Sequence, residues 1–316
     1  MSTIDEKYMQ RCLQLAARGR QESRPNPMVG AVLVKDGRII GEGYHVRCGE
    51  AHAEVNAFAS VNQSAHGSSD LSDATLYVSL EPCSHYGKTP PCADLIISKG
   101  VRRVVVGCVD SFSKVSGQGI ERLRNAGIDV TVGVLEQECR WLNRRFFTFH
   151  EQHRPYIILK WAQSADGFLD RNGHTEVFST PLTQILVHKL RSEEDAILVG
   201  RVTEEREHPR LNVRHWAGRS PQKLILSSST AAAALHSIDE VVAHCIENQL
   251  QSLIVEGGRQ TLQSFIDRGL YDEIRIETAP VHVGQGTPAP ALPANLVPQS
   301  TKMLDGNTIE HYLRRE

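Results

Sequence analysis

Three chemically matched side chains constrain this sequence more than any hydrophobic pattern does. His52 opens the run His52-Ala53-Glu54, Cys83 follows Pro82, and Cys92 closes the stretch Cys83-Ser84-His85-Tyr86-Gly87-Lys88-Thr89-Pro90-Pro91-Cys92. One imidazole and two thiols are the nitrogen and sulfur donors that zinc prefers, and a three-residue set leaves the fourth tetrahedral position for water. A fold carrying such a set must bring the start of a predicted helix at His52 up to the end of the predicted strand before Pro82. An open position favours catalysis over scaffolding, because zinc lowers the pKa of a bound water to ~7. Glu54, near His52 but not needed as a ligand, is suited to take that water's proton and return it to a leaving amine. Taken singly, a His-x-Glu or a Pro-Cys is commonplace. Two loop cysteines also suit a structural zinc corner or a pair of buried thiols, so it is the conjunction that favours a catalytic ion.

Around this set the chain alternates strands and helices, which implies an α/β layer fold. Residues 5–19 place Met9, Cys12, Leu13 and Ala16 at helical spacing, and Pro25 and Pro27 end that pattern in a turn. Val29–Val34 and Ile39–Tyr44 flank Asp36-Gly37 and predict a hairpin. Helices are expected over 50–61, Ala93–Lys99 and Gly119–Ala126, with strands at Thr75–Ser79, Arg103–Val109 and Asp129–Gly133. The Arg- and His-rich stretch 140–155 reads as a join between domains 1–150 and 151–316. Beyond it, strands are expected at Tyr156–Trp161, Ala196–Gly200, Lys223–Leu226, Ser252–Val255 and Asp272–Thr278, and helices at Pro181–Arg191 and Gln260–Arg268.

Length agrees with two domains, at ~100–200 residues each. A formal net charge of -2 gives no basic field for nucleic acid. The 40% hydrophobic and 23% charged content is that of a folded chain. No run approaches the ~18 apolar residues needed to span a bilayer. Asp5, Glu6, Lys7 and Arg11 stand where a signal peptide needs an apolar stretch. The expected location is the cytoplasm, where the seven cysteines serve as ligands or buried hydrophobes rather than disulfides.

The order His-x-Glu then Pro-Cys resembles that of zinc nucleobase deaminases, but those place two residues between the cysteines and eight stand here. His52-Ala53-Glu54 and the run Glu81-Pro82-Cys83 to Cys92, with Pro25-Asn26-Pro27-Met28-Val29-Gly30-Ala31-Val32 and Gly41-Glu42-Gly43-Tyr44-His45, resemble the bifunctional riboflavin-biosynthesis deaminase/reductase family. The resemblance implies an N-terminal, cytidine-deaminase-like α/β/α domain that removes the 2-amino group of a diamino-phosphoribosylamino-pyrimidinone. It implies His52, Cys83 and Cys92 as zinc ligands and Glu54 as proton shuttle. Asn26, His45, His85, Lys88 and Asp110 are implied to hold the pyrimidine, ribose and phosphate. The residue types suit this, since Lys88 offers a point charge for phosphate and Asn26 both a donor and an acceptor for a base edge.

The second half resembles the family's reductase through Lys160-Trp161-Ala162-Gln163-Ser164-Ala165-Asp166-Gly167, Ala196–Gly200, His208–Arg214 and Val255-Glu256-Gly257-Gly258. This implies a dihydrofolate-reductase-like α/β domain in which NADPH reduces the ribosyl group to ribityl. By position, Ala162, Thr203, Glu207 and Gly258 face the cofactor, and Thr175, Arg191, Leu211, Arg214 and Glu256 face the substrate. Gly257 and Gly258, between a strand and a helix, permit close phosphate approach at a helix N-terminus. Paired arginines suit bidentate phosphate recognition. The sequence departs from the family pattern at Val177, where a tryptophan is usual, and at Glu207, which takes the place of a shorter acid. The stretch from Arg214 to Glu256 is also short and shows one clear strand. A second reading therefore keeps the deaminase alone, with a shortened, non-catalytic reductase domain. A nucleic-acid-editing deaminase and a zinc-stabilised scaffold are further alternatives, the former disfavoured by the cysteine spacing and the near-neutral charge. The implied partners are the small-molecule substrate and further copies of the chain in a homo-oligomer, with no nucleic acid and no membrane.

Overall fold

The computed structural model describes residues 3–61, 70–86, 90–111, 117–227 and 234–314. The chain forms two compact units, residues 1–152 and 153–316.

In the first unit, α1 (Ile4–Ala16) starts at a capping box in which Thr3 and Glu6 exchange hydrogen bonds. The strands β1 (Gly30–Lys35) and β2 (Arg38–Tyr44) form the expected antiparallel hairpin, turned at Asp36 and Gly37 with φ of 52° and 71°. With β3 (Thr75–Leu80), β4 (Arg103–Cys108) and β5 (Asp129–Val132) they make one sheet, ordered β2-β1-β3-β4-β5. Strands β3, β4 and β5 run parallel.

Alternation decides what each face of this sheet covers. Ala31, Leu33, Leu76, Val78, Val104 and Val106 pack with α2 (Ala53–Ala59), α3 (Cys92–Ser98) and α4 (Gln118–Asn125), through Ala53, Ala57, Ala93, Ile96, Ile120 and Leu123. Val32, Val34, Tyr77 and Val105 pack on the other side with Met9 and Cys12 of α1. Cys139 of α5 (Glu136–Leu142) and Phe146 and Phe147 of α6 (Arg144–Gln152) join them. The stretch expected to be a join is thus helical up to Gln152, because Phe146, Phe147 and Phe149 give it a face to bury.

Glu81 locks the loop that follows β3. Its carboxylate is 4% exposed. It accepts from the main-chain N–H groups of Asp110, Gly117, Gly119 and Ile120 at 2.9–3.3 Å, satisfying donors at the start of α4. A Cβ on Gly119 would lie 1.9 Å from the Pro82 carbonyl oxygen, so only glycine allows α4 to approach this close.

The second unit carries a seven-stranded sheet. In chain order its elements are β6 (Tyr156–Gln163), α7 (Pro181–Glu193), β7 (Ala196–Gly200), α8 (Arg201–Glu207), β8 (Gln222–Leu226), α9 (Ile238–Glu247), β9 (Ser252–Val255), α10 (Arg259–Asp267), β10 (Glu273–Thr278), β11 (Ser300–Leu304) and β12 (Asn307–Leu313). The strand order is β11-β12-β10-β6-β9-β7-β8, with β10, β6, β9, β7 and β8 parallel. Ile157 and Leu159 face α9 and α10, packing with Val241, Cys245, Leu262 and Phe265. Tyr156, Ile158, Ile197 and Ile254 face Leu190 of α7.

The stretch from Arg214 to Glu256, expected to hold one clear strand, holds β8, α9 and β9. The parallel sheet is therefore continuous on both sides of β7. Ser237 caps α9 by accepting from the Glu240 N–H.

Candidate metal and cofactor sites

Each candidate metal-ligating side chain sits at an element boundary. His52 is the residue before α2, with extended φ and ψ of -71° and 165°. Cys83 follows β3, and Cys92 is the first residue of α3. Nδ1 of His52 lies 3.5 Å from Cys83 Sγ and 3.3 Å from Cys92 Sγ. The three donor atoms all lie within 4.8 Å of one another, the one such group among the described residues. The Cys92 N–H donates to Cys83 Sγ at 3.3 Å and the Ala93 N–H to the Cys83 carbonyl at 3.1 Å, tying the two ends of the intervening loop. One nitrogen and two sulfurs at this separation fit a tetrahedral zinc ion with one position to spare.

The two thiols differ in acidity. Hydrogen bonds from Cys92 and His52 outweigh burial and hold the Cys83 thiol down to about 4. Cys92, which donates to Cys83 and is buried, is pushed up. Glu54 lies in the first turn of α2, 3% exposed. Burial and the neighbouring Cys83 push its carboxyl up to about 7, with His52 opposing.

Around these groups the expected deaminase residues divide. His45 is 3% exposed and stacks edge-on against the His52 ring, centroids 5.5 Å apart. Its Nδ1 lies 3.1 Å from the Ala51 carbonyl, which can only accept, so Nδ1 carries the proton. Nε2 then accepts from Asn26 Nδ2, 3.1 Å away. Both ring nitrogens are therefore engaged within the protein, and His45 sets the orientation of the Asn26 carboxamide. Burial lowers the pKa of His45, in keeping with a neutral ring. His85 is exposed, and Asp110 is half-buried beyond the end of β4. Lys88 lies outside the described residues.

In the second unit Arg191, in the last turn of α7, meets Glu256, the residue after β9. Arg191 Nη2 lies 2.7 Å from Glu256 Oε2, and each side chain is 11% exposed. Burial opposes ionisation of Glu256, but Lys160 and Arg191 hold its carboxyl below the usual range. Lys160 lies on β6 and was not singled out individually from the sequence, although it opens a quoted motif.

Gly258 is the residue before α10, so the free N–H groups of that helix open where a phosphate can approach. A Cβ at Gly258 would come 3.4 Å from Thr203 Oγ1, placing these two expected cofactor residues side by side. A Cβ at Gly200 or Gly257 would come 2.5 and 2.7 Å from side-chain atoms of Thr261. Thr261, which the sequence reading missed, thus fills the gap between the ends of β7 and β9.

Other expected reductase residues stand differently. Leu211 is 6% exposed and packs with Tyr156, Ile158 and Leu190, so its side chain belongs to the core and only its main chain can meet a ligand. Ala162 packs beside Phe178, Ala279 and Val283. Arg214 is exposed, as are Thr175 and Glu207. Although Glu207 as a whole is exposed, partial enclosure of its carboxyl, and then Asp170, raise its pKa. Val177 is 74% exposed.

The family model described as "RibD C-terminal domain" matches residues 155–306, and that described as "Cytidine and deoxycytidylate deaminase zinc-binding region" matches residues 2–108. Riboflavin biosynthesis protein RibD of Aquifex aeolicus is 38% identical over 95% of this chain and 94% of its own length. The RibD of Bacillus amyloliquefaciens is 36% identical over 92% of this chain and 88% of its own. A solved deaminase/reductase from Thermotoga maritima, described as acting on diaminohydroxyphosphoribosylaminopyrimidine and 5-amino-6-(5-phosphoribosylamino)uracil, superposes with a TM-score of 0.89. It is 32% identical, with 99% of each chain covered. Acinetobacter baumannii RibD superposes with a TM-score of 0.87 at 28% identity, again over 99% of each chain.

Proposed function

The chain belongs to the RibD family of riboflavin-biosynthesis proteins, and on that premise we propose which of its residues carry the two reactions. The enzyme is bifunctional, a zinc-dependent deaminase joined to an NADPH-dependent reductase. The deaminase-only reading is not favoured, since the RibD reductase match spans residues 155–306 and the parallel sheet is continuous through β8 and β9.

The observation that carries the deaminase assignment is the convergence of His52, Cys83 and Cys92 beside the buried Glu54. These three would hold zinc, which when bound supplies the Lewis acidity that makes water nucleophilic near neutral pH. Glu54 accepts a proton from the attacking water at a carboxylate oxygen and delivers it to the leaving amine, so that ammonia departs. Asn26 binds the edge of the pyrimidine, with its Nδ2 committed to His45. Lys88, His85 and Asp110 hold the phosphoribosyl group.

In the reductase, Thr203 and Gly258 line the cofactor, with Ala162 at the end of β6 and Glu207 at the end of α8. Arg191, Glu256 and Arg214 hold the ribosyl phosphate substrate, with Thr175 and the Leu211 main chain at its margin. NADPH, when bound, supplies the hydride; these residues fix the ribosyl carbon against it, and misplacement by about 1 Å costs on the order of a hundredfold in rate. The substrate is a small-molecule pyrimidine, and no helix among the described residues is long and apolar enough to cross a membrane. A cytoplasmic location fits a site that needs Cys83 and Cys92 reduced and a pool of NADPH. Assembly as a homo-oligomer is proposed on family membership alone.

Removing the metal tests the division of labour. Chelation is expected to abolish ammonia release from the diamino substrate, leave NADPH-dependent reduction of the deaminated substrate intact, and be reversed by added zinc. Ammonia release that survives complete metal removal contradicts the assignment.

A further inference from the structure

We propose that His188 is a positioning residue of the reductase, holding the loop that carries Arg214 so that its guanidinium meets the anionic end of the substrate. The proposal rests on the reading of Arg191 and Arg214 as substrate residues.

His188 and Arg191 are three residues apart on α7, hence on one face of the helix, and both are buried at 3% and 9% exposure. Nδ1 of His188 lies 3.0 Å from the main-chain nitrogen of Arg214. A peptide N–H can only donate, so Nδ1 presents its lone pair and the ring is the neutral Nε2–H tautomer. The His215 ring packs edge-on against it, centroids 4.8 Å apart at 89°. Burial, reinforced by Arg191, Arg214 and His215, depresses the basicity of His188 to about 4, which keeps that lone pair available.

The loop needs such a hold. His208 and Leu211 are non-glycine residues at φ of 42° and 51°, a conformation that persists only where the surroundings enforce it. Three other contacts fix its course: Lys223 Nζ donates to the Pro209 carbonyl at 2.9 Å, Leu211 enters the core, and the Val213 N–H donates to Ser220 Oγ at 3.0 Å. The His188 bond is made to the main chain of Arg214 itself. It grips the main chain, while the exposed side chain is hydrogen-bonded to Asn212. Arg191 is already paired with Glu256, whereas Arg214 has no carboxylate partner among the described residues. A carboxylate acceptor in place of His188 would neutralise this cationic corner. A neutral imidazole supplies the acceptor and leaves the positive charge for the substrate.

The test compares His188→Leu, His188→Asn and Arg214→Ala in the full chain, with deaminase activity as the internal measure of folding. His188→Leu is expected to raise the reductase KM for the phosphoribosyl substrate about tenfold, the scale of a lost hydrogen bond that places a charged contact. The KM for NADPH and the thermal midpoint stay near the parent values. His188→Asn, whose Oδ1 can accept the same N–H, recovers most of the loss. The double variant His188→Leu with Arg214→Ala binds substrate no worse than Arg214→Ala alone, because both changes remove one interaction. An unchanged substrate KM in His188→Leu, where Arg214→Ala raises it, overturns the proposal. So does an equal rise in both KM values with a lowered midpoint, which marks a merely structural role. An unchanged KM in Arg214→Ala overturns the underlying substrate reading, and the proposal with it.

Discussion

Glu54→Gln is expected to lower deaminase turnover by about 10²–10⁴-fold, the usual contribution of a positioned proton-transfer group. Zinc content, fold and NADPH-dependent reduction stay as in the parent. Glutamine keeps the size of the side chain but can neither accept the proton from water nor deliver it to the amine. The substitution also removes an ionisable group from a position 3% exposed, so no stability loss accompanies it. Ammonia release and metal per chain are measured on the same preparation. Loss of zinc along with activity would make Glu54 a ligand rather than a shuttle, and full activity would return the site to a scaffold.

The second large effect is on stability. Arg191→Met leaves Glu256, whose side chain is 11% exposed, a buried carboxylate that has lost its hydrogen-bonded partner and keeps only the nearby charge of Lys160. Breaking one side of a buried ion pair costs about 3–5 kcal/mol, and a small domain has little more than that to lose. Lys160 lies close enough to bias Glu256 and places the cost toward the lower end. Thermal unfolding monitored by calorimetry is expected to show the unit that carries Arg191 melting earlier. Adding Glu256→Leu to Arg191→Met is expected to restore most of the stability, since the stranded charge is gone. Reductase activity stays lost in the double variant, because both side chains are also assigned to the substrate. A single variant that melts like the parent contradicts the buried-pair account.

The zinc set was legible because ligand chemistry is written in residue types, and because helix starts and strand ends are where α/β folds gather side chains. The first hairpin was legible from Asp36-Gly37. The same dipeptide, Asp305-Gly306, turns β11 into β12 with φ of 51° and 84°, and it went unread. Helix α9 was also available in principle. Ile238, Val241, Val242 and Cys245 have helical spacing, and Ser237 with Glu240 is a capping pattern. The helical course of 140–152 was hidden by its charges, although Phe146, Phe147 and Phe149 mark its buried face.

What could not be read are contacts between residues distant in sequence. Glu81 caps a helix that begins 37 residues later. Arg191 and Glu256 are separated by 65 positions, and each alone is an ordinary charged residue. His45 looked like a ligand-binding histidine, and only the Ala51 carbonyl and the Asn26 carboxamide reveal that both nitrogens are engaged. Leu211 sat within a motif implied to face substrate, yet its side chain fills the core.

The central claim is that both halves of the chain are catalytic and act in sequence on one small molecule. It is tested most directly by incubating the full chain with zinc, NADPH and the diamino-phosphoribosylamino-pyrimidinone, and following ammonia and NADPH together. The expected result is ammonia release followed by NADPH oxidation in equal amount. Ammonia release with no NADPH oxidised, at saturating cofactor, would contradict it and leave the chain a deaminase with an inert second half.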